Sequence, residues 1–238
     1  REIDLESHTG EIPGGNEYTS IGNKNSMLSY TDLHPTQGDE ILYHILSTPR
    51  GGEYRLKLSD GSVIFLNAGT QLRYPVHFSG TTREVELSGE ALFEVTENPG
   101  KPFIVKTDRG NITVYGTSFN VKVYPDETIS YTTLISGSIG YESGGESILL
   151  KPDEQIIVYE SGKMTKHKVD ITEYIGWKEG VYIFNERKME AIMKDFSRWY
   201  DFEVVYENEN IRDLELTGSL QRRESIEKFM DILSRTEE

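Results

Sequence analysis

The stretch LKLSDGSVIFLNA, residues 56–68, decides the fold class of this chain. Asp60-Gly61 at its centre is a strong tight-turn signal, because glycine accepts a positive φ and aspartate tolerates the left-handed region. The residues on either side alternate in polarity or run apolar, as β-strands do. The stretch therefore predicts a β-hairpin.

Strand-like runs of this kind recur between about residues 41 and 170. LSGEALFEV (residues 87–95) and VYGTSFNV (residues 114–121) are two of them, each with a glycine at a corner. Turn signals separate the runs at spacings of roughly 8–12 residues, which is typical of jelly rolls, sandwiches and solenoids. The pattern predicts a mainly β domain with two-sheet jelly-roll or β-solenoid-like architecture.

The hydrophobic period changes near residue 180 from two to about 3.6. Val181–Phe184 predicts a strand, and Lys188–Tyr200 predicts a helix with Asn185 as its N-cap. Strands are predicted at Phe202–Tyr206 and at Leu214–Gly218. A second helix is predicted from the apolar positions Ile226, Phe229, Met230 and Leu233. The order β-α-β-β-α describes a small α+β unit that lacks the last strand of its sheet.

These patterns divide the chain into three parts. Residues 1–40 are polar and glycine-rich, and they predict an irregular arm or linker with a short docked stretch at 27–30. Residues 41–175 form the predicted β domain. Residues 176–238 form the predicted α+β unit, which we expect to bind a partner.

The composition excludes several functions. A net charge of −15 over 238 residues argues against nucleic acid and anionic membranes as partners. The chain has no cysteine, which excludes zinc ribbons, thiol catalysis and disulfides. Its histidines lack metal-ligand spacing, and no catalytic motif is present. We therefore expect no enzymatic activity, no metal and no cofactor.

Aromatic residues are concentrated near the junction of the β domain and the α+β unit. One interpretation is that they pack in the core and between the two parts of the chain. The other is that some of them line a groove for a partner, with a strand edge beside it. The candidates for partner binding are Trp199, Tyr200, Tyr182, Phe184, Leu214 and Leu216.

The motifs together resemble the periplasmic region of FecR-type anti-sigma factors. The β motifs are TPRGGEY (48–54), LSDGSVIFLNA (58–68), LRYP (72–75), REVELSGEALFEV (83–95), PFIV (102–105), VYGTSFNV (114–121) and TLISGSI (133–139). The tail motifs are WKEG (177–180), FN (184–185) and LTG (216–218), and they resemble the domain that follows in the branch attached to glycan- and iron-uptake systems.

The resemblance implies a function for the whole family member. Such a protein would lie in the inner membrane of a Gram-negative bacterium, with its sigma factor held by a cytosolic segment and its single membrane helix upstream of this region. No apolar run of the ~18–20 residues that span a bilayer occurs in this sequence. The periplasmic region would bind the N-terminal signalling domain of a TonB-dependent, SusC-type receptor. Its last domain would resemble the secretin/TonB short N-terminal fold.

The resemblance raises one further reaction, self-cleavage, against the alternative that the residues concerned are only a glycine at a strand corner and a threonine on its edge; two other functions are alternatives to the resemblance itself. Some family members cleave themselves between Gly and Thr, at the motif that matches Gly116-Thr117 here, through attack of the Thr hydroxyl on the preceding carbonyl. Alternative functions are an extracytoplasmic carbohydrate-binding β-module, which needs exposed aromatics or a close carboxylate pair, and an assembly module of a secretion system.

Overall fold

The computed structural model describes residues 10–12, 19–24, 27–32 and 41–236. These residues form a mainly β protein with a small α+β region at the C-terminal end, so the predicted fold class is confirmed. Within them, sixteen strands form one curled sheet and two more strands form a separate ribbon.

The curled sheet contains β1 (Gly10–Ile12), β2 (Thr19–Lys24), β3 (Met27–Asp32), β4 (Tyr43–Ser47), β5 (Tyr54–Lys57), β6 (Val63–Leu66), β7 (Gln71–Pro75), β8 (Arg83–Glu94), β9 (Phe103–Thr107), β10 (Gly110–Val114), β11 (Ser118–Val123), β12 (Ile129–Ser136), β13 (Ile139–Ser143), β14 (Glu146–Leu150), β15 (Glu154–Tyr159) and β16 (Met164–Lys168). The C-terminal region contains α1 (Thr172–Ile175), a 3₁₀ helix (Gly176–Glu179), β17 (Val181–Lys188), α2 (Met189–Tyr200), a second 3₁₀ helix (Glu209–Asp213), β18 (Glu215–Gln221) and α3 (Ile226–Thr236).

Strand β8 belongs to both halves of the curled sheet. Its first part pairs antiparallel with β7 and parallel with β9. From Gly89 onward it pairs antiparallel with β6 and β11 instead. Gly89 has a φ of +116°, in the region that favours glycine, and it marks the point where the strand changes partners.

The predicted hairpin is present. β5 and β6 pair antiparallel across the turn that contains Gly61, which has a φ of +87°. Asp60 fixes this turn, because its carboxylate accepts hydrogen bonds from the backbone N–H and the hydroxyl of Ser62, at 3.0 and 2.7 Å. Arg83 donates to the same carboxylate at 2.7 Å and so ties the turn to the start of β8.

The main apolar core lies inside the curled sheet. It includes stacked rings of Phe93 and Phe119, whose centroids are 5.0 Å apart, with Phe103 edge-on to Phe93. Arg55 and Lys57 face outward, as the alternation predicts. Glu86 and Glu84 pair with Arg73 and Lys106, which keeps charge on the outer face of the sheet.

The arm is more regular than the sequence predicts. Its docked stretch is confirmed, because β3 pairs parallel with β5 and Leu28 is buried in the main core. The arm also contributes β1 and β2, where we predicted irregular chain. The rest of the arm (1–9, 13–18, 25–26 and 33–40) lies outside the described residues. The domain boundaries near residues 40 and 175 stay predictions.

The C-terminal unit, residues 176–236, is built around the antiparallel pair β17 and β18. Helix α2 is confirmed, but its predicted N-cap is wrong: β17 continues past Asn185 to Lys188, with a bulge between Phe184 and Arg187. The strand predicted at Phe202–Tyr206 is also wrong, since no ladder pairs with it among the described residues. The observed order in this unit is therefore β-α-β-α.

Candidate functional site

The aromatic residues of the C-terminal unit form a second apolar cluster with Leu92 of β8 and Ala68 of the turn between β6 and β7. Tyr182 contacts Phe196 and Trp199 edge-on, with ring centroids 5.1 and 5.6 Å apart. This cluster seats the unit on one face of the sheet. The site is therefore a docking interface within the chain.

Three of the predicted partner-binding residues lie inside this interface. Trp199, Tyr182 and Phe184 are only 4%, 7% and 5% exposed. Their large ring surfaces are buried against the unit's own helices and the sheet, so packing explains them and an external groove does not. The alternative interpretation, packing between the two parts of the chain, is the one that the structure supports for these three residues.

A chain of buried polar groups crosses the interface at Glu90 on β8. The Glu90 carboxylate accepts hydrogen bonds from the side-chain amides of Asn67 and Asn120, at 2.8 and 3.0 Å. Each asparagine in turn accepts an indole N–H from the C-terminal unit. Trp199 donates to Asn67 at 3.0 Å, and Trp177 donates to Asn120 at 3.2 Å. We call these five residues the Glu90 clasp.

The indoles set the orientation of the whole clasp. An indole N–H only donates, so each asparagine must turn its carbonyl oxygen to the tryptophan and its NH₂ group to Glu90. Glu90 must then accept twice, which a carboxylate does. Burial raises the pKa of Glu90, while Lys122 and the asparagine hydrogen bonds act in the opposite direction.

An ion-pair network lies beside the clasp and centres on Asp195 of α2. One carboxylate oxygen of Asp195 contacts Lys122 at 2.6 Å and Arg198 at 3.2 Å. The other contacts Arg187 at 2.9 Å and accepts the Tyr182 hydroxyl at 2.5 Å. Because Lys122 lies on the sheet and the other groups on the unit, the network joins the two parts.

Arg198 links the network to the loop between β11 and β12. It pairs with Glu127 at 2.6 Å and binds both oxygens of Asp126 at 2.8 Å. Its guanidinium also lies over the Tyr124 ring, 3.7 Å from the centroid. Every buried charge here therefore has an opposite charge in contact, as burial requires.

Trp177→Phe is expected to lower the free energy of unfolding by about 2 kcal/mol, because the buried Asn120 oxygen then loses its donor. Trp199→Phe should cost less, since the Asn67 oxygen keeps a second donor, the backbone N–H of Ala68 at 2.8 Å. Urea unfolding followed by circular dichroism measures both. Equal effects would contradict this account of the clasp.

Stability is expected to fall in acid through Asp195. Burial alone would raise the pKa of this carboxyl, but Lys122, Arg187 and Arg198 outweigh burial and hold the pKa well below its usual range. A lowered folded-state pKa contributes stability above the unfolded pKa of about 3.9, and that stability is lost as pH falls below it.

The measurement is urea unfolding of the protein and of Asp195→Asn at pH 7, 5, 4 and 3. The stability difference between the two proteins should be largest at pH 7 and 5 and should shrink below about pH 4. A difference that is constant across this range would contradict the assignment.

The remaining predicted partner-binding residues are less buried, although Tyr200 and Leu216 also pack against the second apolar cluster. Leu214 is 47% exposed, and Leu216 and Tyr200 are half-buried. In the described part of the chain β17 and β18 pair only with each other, so each has one unpaired edge. The role of these residues in partner binding stays a prediction.

The Gly116-Thr117 bond lies in a tight corner between β10 and β11. A Cβ at Gly116 would come within 2.7 Å of the Glu97 backbone, which explains glycine there. The buried Thr117 hydroxyl donates to the Ser138 carbonyl at 3.0 Å. Self-cleavage at this bond stays a prediction, and two fragments in the intact mass spectrum of the 27.1 kDa chain would demonstrate it.

Metal clusters and membrane spans are both absent from the described ranges. No group of three or more histidine, aspartate or glutamate side chains is placed to hold a metal ion in the part of the chain that the structure covers. None of the helices described above has the length and apolar character needed to cross a membrane.

Sequence reasoning missed the clasp. Its signal is the asparagine inside each of two apolar strand motifs, Asn67 after Leu66 and Asn120 after Phe119. A buried amide in such a run needs a partner. The sequence alone does not say that the partner is a tryptophan more than fifty residues away.

The fold is similar to that of two solved structures described as anti-sigma factors. A protein of Parabacteroides distasonis ATCC 8503, assigned as an anti-sigma factor and solved at 1.65 Å, is 32% identical, with a TM-score of 0.77 over 81% of this chain and 91% of that chain. A second structure from the same organism, assigned in the same way and solved at 2.50 Å, is also 32% identical, with a TM-score of 0.76 over 82% and 92%. No curated protein sequence matches the chain.

Two family descriptions match in sequence. The FecR protein family matches residues 44–140, and the C-terminal FecR family matches residues 181–238. The chain therefore belongs to the FecR family of anti-sigma factors, as the motifs indicated. Membership in this family implies a regulatory, non-enzymatic role.

Proposed function

We propose that this chain is the periplasmic sensor region of a single-pass inner-membrane anti-sigma factor. In this proposal it binds the N-terminal signalling domain of a TonB-dependent, SusC-type outer-membrane receptor. The nutrient status of the receptor then reaches an extracytoplasmic-function sigma factor, which a cytosolic segment outside this chain holds. Family membership supports this function over the alternative of a carbohydrate-binding module.

The observation that carries the proposal is the open ribbon of the C-terminal unit. The face of the unit that docks on the sheet is closed by the Glu90 clasp and the Asp195 network. Within the described ranges each ribbon strand keeps one unpaired edge, and Leu214, the residue before β18, is exposed. An extended strand of a partner can add to such an edge through main-chain hydrogen bonds, with side-chain pockets giving specificity.

The direct test is isothermal titration of this chain with the purified signalling domain of the TonB-dependent receptor encoded nearest to its gene. We expect a dissociation constant of about 10 μM or tighter, typical of transient signalling contacts. Leu214→Asp is expected to weaken binding about tenfold, since it places a charge in the contact.

Leu149→Asp is the matched control, because Leu149 is 63% exposed on β14 of the curled sheet. It should leave the affinity unchanged. Failure of the signalling domain to bind the folded chain would overturn the proposed function. Equal effects of the two leucine variants would place the contact elsewhere than the ribbon.

A further inference from the structure

The segment Phe202–Glu207 has the side-chain alternation of a strand but none of a strand's pairing. Phe202, Val204 and Tyr206 turn inward and pack against the second apolar cluster. The three residues between and after them, Glu203, Val205 and Glu207, are exposed. Val205 is 86% exposed, an unusual position for a β-branched apolar side chain. The inward residues hold this segment against the unit while its outer face stays open.

Apart from Phe202, the backbone N–H and C=O groups of this segment also lack backbone partners among the described residues. Phe202 N–H bonds to the Ser197 carbonyl, which ends α2. Between residues 203 and 207, no backbone group takes part in a backbone–backbone hydrogen bond with any residue that the structure describes. Backbone donors and acceptors left in this way are a template for an added strand.

The acidic side chains around Val205 favour a partner strand that carries basic side chains. Glu203 and Glu207 flank it on the same face, and neither forms an ion pair within the described ranges. From Asp201 to Glu215 the chain carries six acidic side chains and one basic one, Arg212. Arg212 is already paired with Glu190 and Glu209. A facing strand with like charge would be repelled, and an anionic membrane would be repelled as well.

We propose that residues 202–207 accept a partner strand whose facing side chains run basic, β-branched, basic. Lysine or arginine would lie opposite Glu203 and Glu207, and valine or isoleucine would cover Val205, the favoured cross-strand pairs for these residues. This inference rests on the proposed function, because it adds to the ribbon edge a second contact of the signalling domain and names the chemistry of the strand that would make it.

The probe is a capped nine-residue peptide with Lys-Thr-Val-Thr-Lys at its centre and Ser-Thr flanks. We expect it to slow hydrogen exchange of the amides of residues 203–207 by about tenfold, since an added strand protects them. A peptide with Glu-Thr-Val-Thr-Glu at its centre should have no effect. A scramble with Lys-Lys-Thr-Thr-Val tests whether charge alone suffices, and equal protection by it would overturn the proposal.

A charge-reversal variant distinguishes a loss of binding from a loss of folding, because an unfolded protein would not gain affinity for the oppositely charged peptide. The double variant Glu203→Lys, Glu207→Lys should bind the lysine peptide about tenfold more weakly and should gain protection from the glutamate peptide. Glu146→Lys, Glu160→Lys is the matched control: Glu146 at the start of β14 and Glu160 in the turn after β15 are both exposed, and the total charge change is the same. The control should bind the lysine peptide as the parent protein does. Weakening in the control to the same degree would overturn the proposal, because net charge would then explain it.

The two proposals fail separately. Protection by the lysine peptide without binding of the receptor domain supports this surface and contradicts the proposed function. Binding of the receptor domain that is unchanged in Glu203→Lys, Glu207→Lys supports the proposed function and overturns this surface.

Discussion

Asp195→Ala is expected to lower the free energy of unfolding by about 3–5 kcal/mol, the cost of removing one partner from a buried ion pair. The variant leaves Lys122, Arg187 and Arg198 without the carboxylate that they share. It also removes the acceptor of the buried Tyr182 hydroxyl. Urea unfolding at pH 7, followed by circular dichroism, measures the loss.

The matched control for this prediction is Asp213→Ala. Asp213 pairs with Lys188 at 2.6 Å, the same length as the contact of Asp195 with Lys122, but both side chains of the Asp213 pair are exposed. Solvent screens such a pair, so the variant should unfold close to the parent protein. If both aspartate variants unfold like the parent, the buried network does not hold the C-terminal unit.

Gly89→Ala is expected to destabilise the protein by about 4 kcal/mol, from backbone strain and overpacking together. Gly89 has a φ of +116°, and a Cβ there would lie 2.6 Å from the backbone Cα of Thr70. The neighbour is backbone and cannot swing away. The residue also lies where β8 changes partners, so displacement would disturb both halves of the sheet.

Gly80→Ala is the control that separates the cost of backbone strain from the cost of steric overlap in Gly89→Ala. Gly80 has a φ of +77°, but a Cβ added there would meet nothing within 4 Å, so only the backbone penalty of about 1 kcal/mol applies. Thermal unfolding of both variants gives the comparison. A Gly89→Ala protein that melts as the Gly80→Ala protein does would show that Thr70 yields to the added methyl group.

Local signals predicted much of the fold. The Asp60-Gly61 turn was readable because its geometry depends on a few adjacent residues. Helix α2 could be predicted because its apolar residues recur with a period of about 3.6 residues, which is a property of the sequence alone. The prediction of a strand at Phe202–Tyr206 was wrong because strand pairing depends on residues far away in the sequence. Its alternation is that of a strand, but a strand also needs a neighbour, and no sequence pattern supplies one.

The docking interface could be predicted only in part. The aromatic residues near the junction indicate a packed surface. The apolar face of α2 does not, however, show whether that surface packs against the same chain or against another protein. The structure answers this for Trp199, whose indole N–H binds Asn67. That bond joins residues 132 positions apart, and such contacts arise only when the whole fold is assembled.

Strand β8 runs from one half of the curled sheet into the other, and its Leu92 side chain lies beneath the C-terminal unit. Glu90, two residues earlier, anchors both tryptophans of that unit through their asparagines. Tension applied to the unit by a bound partner would therefore be shared among several segments of the β domain: β8, β11 and the turns that follow β6 and β11.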